Sequence, residues 1–352
     1  MDEDLVLCLF VLLSVVSGAV LVFLARAHRV RSAAAGWLRL LLGNLLVSVF
    51  LLSMALLAGE VYYRFYYDAT DALGYTKVCR RWYQRHWRTN SSDCRDTLDY
   101  SLQCAPERRR ITFLGDSFTA GHGIRNVEDR FANRIRIAHP EWEIHILAQP
   151  GFDTGNELEY LRNILSQGYR LDEVVLVYCL NDVADMFPEW AEAVERVRAA
   201  DERNGWLLGS SYCLNTLYYR LRVRFTPDAS HYYDYIKQGY RGADWDRQKQ
   251  RLRAIRGLVE SHGGRLAVVT FPFMHALGPS YEFQFAHDEL NHLWRDLNVP
   301  HLDLLAIYRG LPPGKVTVNR FDGHPNEYAN ALAACAIEKF LKEQMAPKAS
   351  AR

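Results

Sequence analysis

This sequence has no excess of either charge: 42 lysines and arginines stand against 41 aspartates and glutamates, a formal net charge of +1. No basic stripe runs along it, so nothing points to a nucleic-acid partner. Cysteines number seven, with no C-x-x-C among them, which argues against a zinc site; no cofactor is expected either. Internal repeats and low-complexity tracts are absent, and 49% hydrophobic with 24% charged residues is globular composition. The chain also lacks the positive start of a signal peptide, since it opens Met1, Asp2, Glu3, Asp4.

What is present is uneven apolarity. Residues 5–25 and 38–59 are each about the ~20 residues that span a bilayer core, interrupted only by Arg39 at the edge of the second. They predict a helical hairpin anchor over residues 1–60. Its connecting loop carries Arg26, His28, Arg29 and Arg31, whereas the N-terminus is acidic. The positive-inside tendency puts that loop in the cytoplasm and the residues after 60 outside it, as a two-helix membrane protein with an extracytoplasmic domain. Residues 61–87, with VYYRFYY and CRRWYQRHWR, read as an aromatic membrane-interface belt and linker. Cys79, Cys94, Cys104 and Cys213 fall in polar sequence, where an oxidising compartment would allow one or two disulfides. Residues 346–352 form a tail.

From residue 111 onward short β-rich runs alternate with helical spacing. Strands are predicted at 111–114, 143–148, 173–179, 265–271 and about 300–304, because each is short, β-branched and continuously apolar. Helices are predicted at 126–138, 155–167, 246–262, 283–296 and 326–343. Such alternation implies a mostly parallel sheet sandwiched by helices. Residues 183–245, rich in tyrosine and tryptophan, interrupt it and read as a cap insertion.

In an open parallel sheet ligands sit beyond the carboxyl ends of the strands. After the first predicted strand comes Gly115-Asp116-Ser117, after the second Gln149-Pro150-Gly151, and after the third Leu180-Asn181-Asp182. Asp322-Gly323-His324 precedes the last helix. Each alone is an ordinary turn or cap. Their joint order is the signal.

In these blocks the chain resembles the SGNH, or GDSL-type, hydrolase superfamily, over about residues 88–345: Ser117, Gly151, Asn181 and His324 match its four name-giving residues. "TNSSDCRD" at 89–96 resembles the "TNSxGxRD" opening of membrane-anchored bacterial members. The resemblance implies a three-layer, flavodoxin-like α/β fold and a serine esterase. It assigns Ser117 as nucleophile, His324 as base and Asp322 as its partner, with an oxyanion hole from the backbone N–H groups of Ser117 and Gly151 and the amide of Asn181. Departures are Phe118 for Leu, Cys179 for Gly, Asp93 for Gly, and an Asp-x-His spacing in place of Asp-x-x-His. The expected substrate is an acyl ester, acetyl included, of a small molecule, glycan or lipid. The same residues would equally serve an acyltransferase that acylates a glycan, and a non-catalytic scaffold would keep the fold.

Overall fold

A computed structural model describes residues 2–28, 37–105, 107–202, 204–225 and 231–345. Arg29 and Arg31 of the predicted loop, and the tail 346–352, lie outside the described residues. The chain groups into two compact units, one of Met1–Asp68, Gly74–Trp82 and Glu195–Thr226, the other of Ala69–Leu73, Tyr83–Val194 and Pro227–Arg352.

In the first unit, helices Asp2–His28 and Trp37–Val61 pack on each other. Close approach is possible because Gly18 has no side chain; a Cβ there would stand 3.0 Å from the ring of Phe50. The Ser14 and Ser53 hydroxyls meet across the pair at 3.1 Å. Most leucines point away from it: Leu5, Leu12, Leu40, Leu45, Leu51 and Leu52 are all exposed. Among the described residues, two helices are long and apolar enough to cross a membrane. The C-terminal end of the second carries Glu60, whose buried carboxylate accepts hydrogen bonds from the Ser211 hydroxyl at 2.7 Å and the backbone N–H groups of Tyr212 and Cys213 at 3.0 and 2.9 Å. Those amides open helix Tyr212–Phe225, where N–H groups have no partner within the helix.

The second unit is a five-stranded sheet in the order β2-β1-β3-β4-β5: β1 Arg109–Gly115, β2 Trp142–Ala148, β3 Glu173–Cys179, β4 Arg265–Phe271 and β5 His301–Asp303. Every pairing is parallel. Because the order runs outward from β1 in both directions, right-handed crossovers send the connecting helices to opposite faces. Helix Phe131–Ala138 packs with the last helix, Glu327–Gln344, while Thr154–Ser166 packs with Gly242–Ser261. This is the three-layer α/β arrangement expected, and it explains the continuous apolar runs: every residue of β3 is buried. A short antiparallel ribbon, β6 Thr317–Asn319 with β7 Asp322–Pro325, is added before the last helix.

Two expectations differ. The helix predicted from 126 begins at Phe131, after a separate 3₁₀ turn over Val127–Asp129, because Arg130 is extended. No disulfide forms among the described cysteines. Cys94 instead lies 3.2 Å from the Tyr160 hydroxyl.

Replacing Glu60 by Ala should orphan the two amides at the start of helix Tyr212–Phe225, a cost of about 1–3 kcal/mol. Faster hydrogen exchange confined to residues 211–216 is the expected measurement; unchanged exchange there would contradict it.

Candidate active site

The sheet order sets the site before any side chain is considered. β1 lies between β2 and β3, so the loops leaving their three carboxyl ends are neighbours. Ser117 follows β1, Gly151 follows β2 and Asn181 follows β3. His324 comes to the same place on the β6–β7 ribbon.

The turn after β1 is tightly specified. A Cβ on Gly115 would stand 2.8 Å from the Val177 carbonyl oxygen of the neighbouring strand, so only glycine lets the two backbones approach. Asp116 then caps the short helix Ser117–Ala120, its carboxylate accepting the Phe118 N–H at 2.8 Å. Asp116 is fully buried, which raises its carboxyl to about 6 against the hydrogen bonds of Phe118, Ser117 and Asn181. Asn181 lies near enough to Asp116 to lower its carboxyl slightly, and its own Oδ1 is buried without a hydrogen-bond partner among the described residues. Gly151 has φ 83°, left-handed backbone, with open space where a Cβ would be. Cys179, where the resembled pattern has Gly, is fully buried and donates its N–H to Asp182 at 2.9 Å.

Ser117, His324 and Asp322 are in one hydrogen-bonded line. Ser117 Oγ lies 2.8 Å from His324 Nε2, and His324 Nδ1 lies 2.5 Å from Asp322 Oδ1. The short Asp-x-His spacing is no obstacle: Asp322 Oδ1 also accepts the backbone N–H of His324 at 3.1 Å, closing a tight turn that aims the imidazole at the serine. A carboxylate on Nδ1 fixes the proton there and leaves Nε2 as an acceptor for the serine hydroxyl. Although burial would raise it, the Asp322 carboxyl sits well below the ordinary range because His324 and His122 face it. Burial and the charge of His122 lower the pKa of His324, against the opposing pull of Asp322.

Several contributors are not visible in the motifs. Thr70, in the stretch read as belt and linker, donates its hydroxyl to Asp322 Oδ2. His122, on the loop after helix Ser117–Ala120, places Nε2 3.2 Å from the same oxygen. Tyr83 OH lies 2.6 Å from His122 Nδ1. The opening motif acts through its arginine, since buried Arg95 donates to the carbonyls of Gly121 and Ile124 at 2.5 Å each and so braces the loop that carries His122. Burial lowers the Arg95 guanidinium to about 9. Asp93, where that motif usually has Gly, adopts φ 55°, which accounts for the preference. His122, Asp322 and His324 bring ligand-type atoms within 4.8 Å of one another. The same atoms already face hydrogen-bond partners in the protein, which accounts for their grouping.

Neither a protein-family profile nor a curated protein sequence matches the chain. Solved structures do. A member of the lipolytic protein G-D-S-L family from Veillonella parvula DSM 2008 is 11% identical, with TM-score 0.44, over 67% of this chain and 99% of that one. Phospholipase A1 from Streptomyces albidoflavus NA297 is 12% identical, with TM-score 0.43, over 67% and 98%. The psychrotrophic esterase EstA from Pseudoalteromonas sp. is 15% identical, with TM-score 0.39, over 67% and 98%. These are distant likenesses.

Gly115→Ala should force β1 and β3 apart and destabilise the second unit by about 1–3 kcal/mol, as overpacking does. A lowered thermal midpoint is the expected result. An unchanged one would mean the strand contact is looser than the 2.8 Å approach implies.

Proposed function

We propose that the chain is a membrane-tethered serine esterase that removes acyl groups, acetyl among them, from a glycan or lipid outside the cytoplasm. The observation that carries this reading is the continuous line from Ser117 Oγ through the His324 ring to Asp322 Oδ1, at 2.8 and 2.5 Å. A serine hydroxyl is a poor nucleophile until a base takes its proton during attack. His324 Nε2 is placed to take it and later to protonate the leaving alcohol. Asp322, fully shielded from water, holds the tautomer and stabilises the imidazolium that forms.

The tetrahedral intermediate places negative charge on the former carbonyl oxygen, which needs fixed donors. Ser117 N–H, Gly151 N–H and the Asn181 amide serve in this reading. A side-chain amide has two N–H groups. Either of Asn181's can serve the oxyanion. Tethering is supported by the exposed leucines of the two apolar helices, a surface that lipid would cover and water would not favour. Orientation is supported by the basic connecting sequence set against an acidic N-terminus.

A panel of short- and long-chain acyl esters and acetylated glycans, assayed with the full chain in detergent, tests the reading. Ser117→Ala should abolish hydrolysis and covalent labelling by a fluorophosphonate. Asn181→Ala should lower turnover by about 10²–10³, as loss of one oxyanion donor does. Asp322→Asn should cost about 10⁴ through the wrong imidazole tautomer. Wild-type rates in Ser117→Ala and Asn181→Ala together would refute the assignment.

A further inference from the structure

Resting on the esterase reading, we propose that His122 is a positioning residue of the same centre: a second imidazole on the far oxygen of the Asp322 carboxylate, whose protonation weakens His324 as a base.

One carboxylate serves two histidines. Asp322 Oδ1 takes His324 through Nδ1 and the backbone N–H, at 2.5 and 3.1 Å. Oδ2 takes the Thr70 hydroxyl and faces His122 Nε2 at 3.2 Å. That nitrogen also lies 3.0 Å from the Asp71 carbonyl oxygen. With a carboxylate and a carbonyl both facing it, Nε2 must carry a hydrogen in either charge state. The other nitrogen is different in kind. Nδ1 meets the Tyr83 hydroxyl at 2.6 Å, and a hydroxyl donates to a neutral imidazole or accepts from a cationic one. His122 is therefore satisfied neutral and satisfied protonated, without any side chain having to move.

The two rings lie 4.3 Å apart, tilted by 31°. A cation on His122 opposes a second cation on His324 and competes for the carboxylate that would stabilise it. Asp322, Asp71, Tyr83 and His324 face His122. His324 in turn faces Ser117, Asp322 and His122, with His275 close enough to feel its charge. Although burial opposes it, the carboxylate of Asp322, joined by Asp71, raises the pKa of His122, while burial and His122 lower that of His324. On acidification His122 therefore protonates first, and its charge then disfavours the imidazolium that catalysis must form on His324. As pH rises through the His122 pKa, the charge leaves and Asp322 is freed to support His324 alone. The acid limb of the pH profile then contains two ionisations where a lone triad has one.

His122→Gln keeps an N–H donor near the Nε2 position and removes the titrating charge. In kcat/KM measured against pH with p-nitrophenyl acetate, the wild-type acid limb should approach a slope of about two, and His122→Gln a slope of about one. In the same proteins carrying ¹³C-labelled histidine, NMR should show the His324 pKa higher in His122→Gln than in wild type. In wild type alone the His324 resonance should have two inflections, the first following His122, so the test survives a variant that fails to fold. A slope of one in both proteins, or a single His324 inflection in wild type, would overturn the proposal. Two inflections in a chain that hydrolyses no ester would uphold the coupling and sink the esterase reading, so the two failures are distinguishable.

Discussion

A carboxylate sealed from water is the constraint on which the rest of the site depends. A lone buried charge is costly to hold, and a buried Asp would ordinarily be driven neutral. Asp322 stays ionised because both of its oxygens are occupied by donors drawn from three separated parts of the chain: Thr70, His122, and the backbone and ring of His324. Satisfying that charge assembles the centre. Each donor must arrive, so the loop after β1, the β6–β7 ribbon and the segment around Thr70 are mutually fixed.

The sheet supplies the rest. With β1 flanked by β2 and β3, three loops distant in sequence are adjacent without any special contact between them. Gly115 allows the strand approach, Asp116 starts the helix turn, and Arg95 braces the following loop. The polar groups that hold the site still are thus mostly not those that would touch a substrate. Tyr240 adds to this by donating its hydroxyl to the Leu180 carbonyl at 2.9 Å, next to Asn181.

Much of this was readable in the amino acids themselves. Strands at 173–179 and 265–271 match β3 and β4 residue for residue, since a strand covered on both faces leaves an unbroken apolar run. The order of the Ser, Gly, Asn and His blocks placed them at one sheet edge, and Ser117, His324 and Asp322 do meet there. Thr70 and His122 were not legible. Thr70 reaches Asp322 across 252 positions, and neither residue has a periodicity, a motif or a composition that marks the contact. A carboxylate advertises its need for donors but not where in the chain they come from. The helix start at Phe131 was missed because the extended backbone of Arg130 is set by its buried guanidinium, bonded to Asn133 and the Ala120 carbonyl, and not by local spacing.

The contribution of Thr70, Asp71 and Tyr83 alters what the stretch following the apolar helices is. It reads as a spacer between anchor and domain, yet its side chains and backbone bond Asp322 and His122. A fragment beginning at Arg88 would retain Ser117, His324 and Asp322 while losing the Thr70 hydroxyl that bonds Asp322, and the Asp71 carbonyl and Tyr83 hydroxyl that hold His122. Such a fragment keeps the three aligned side chains without all of the groups that set their electrostatics.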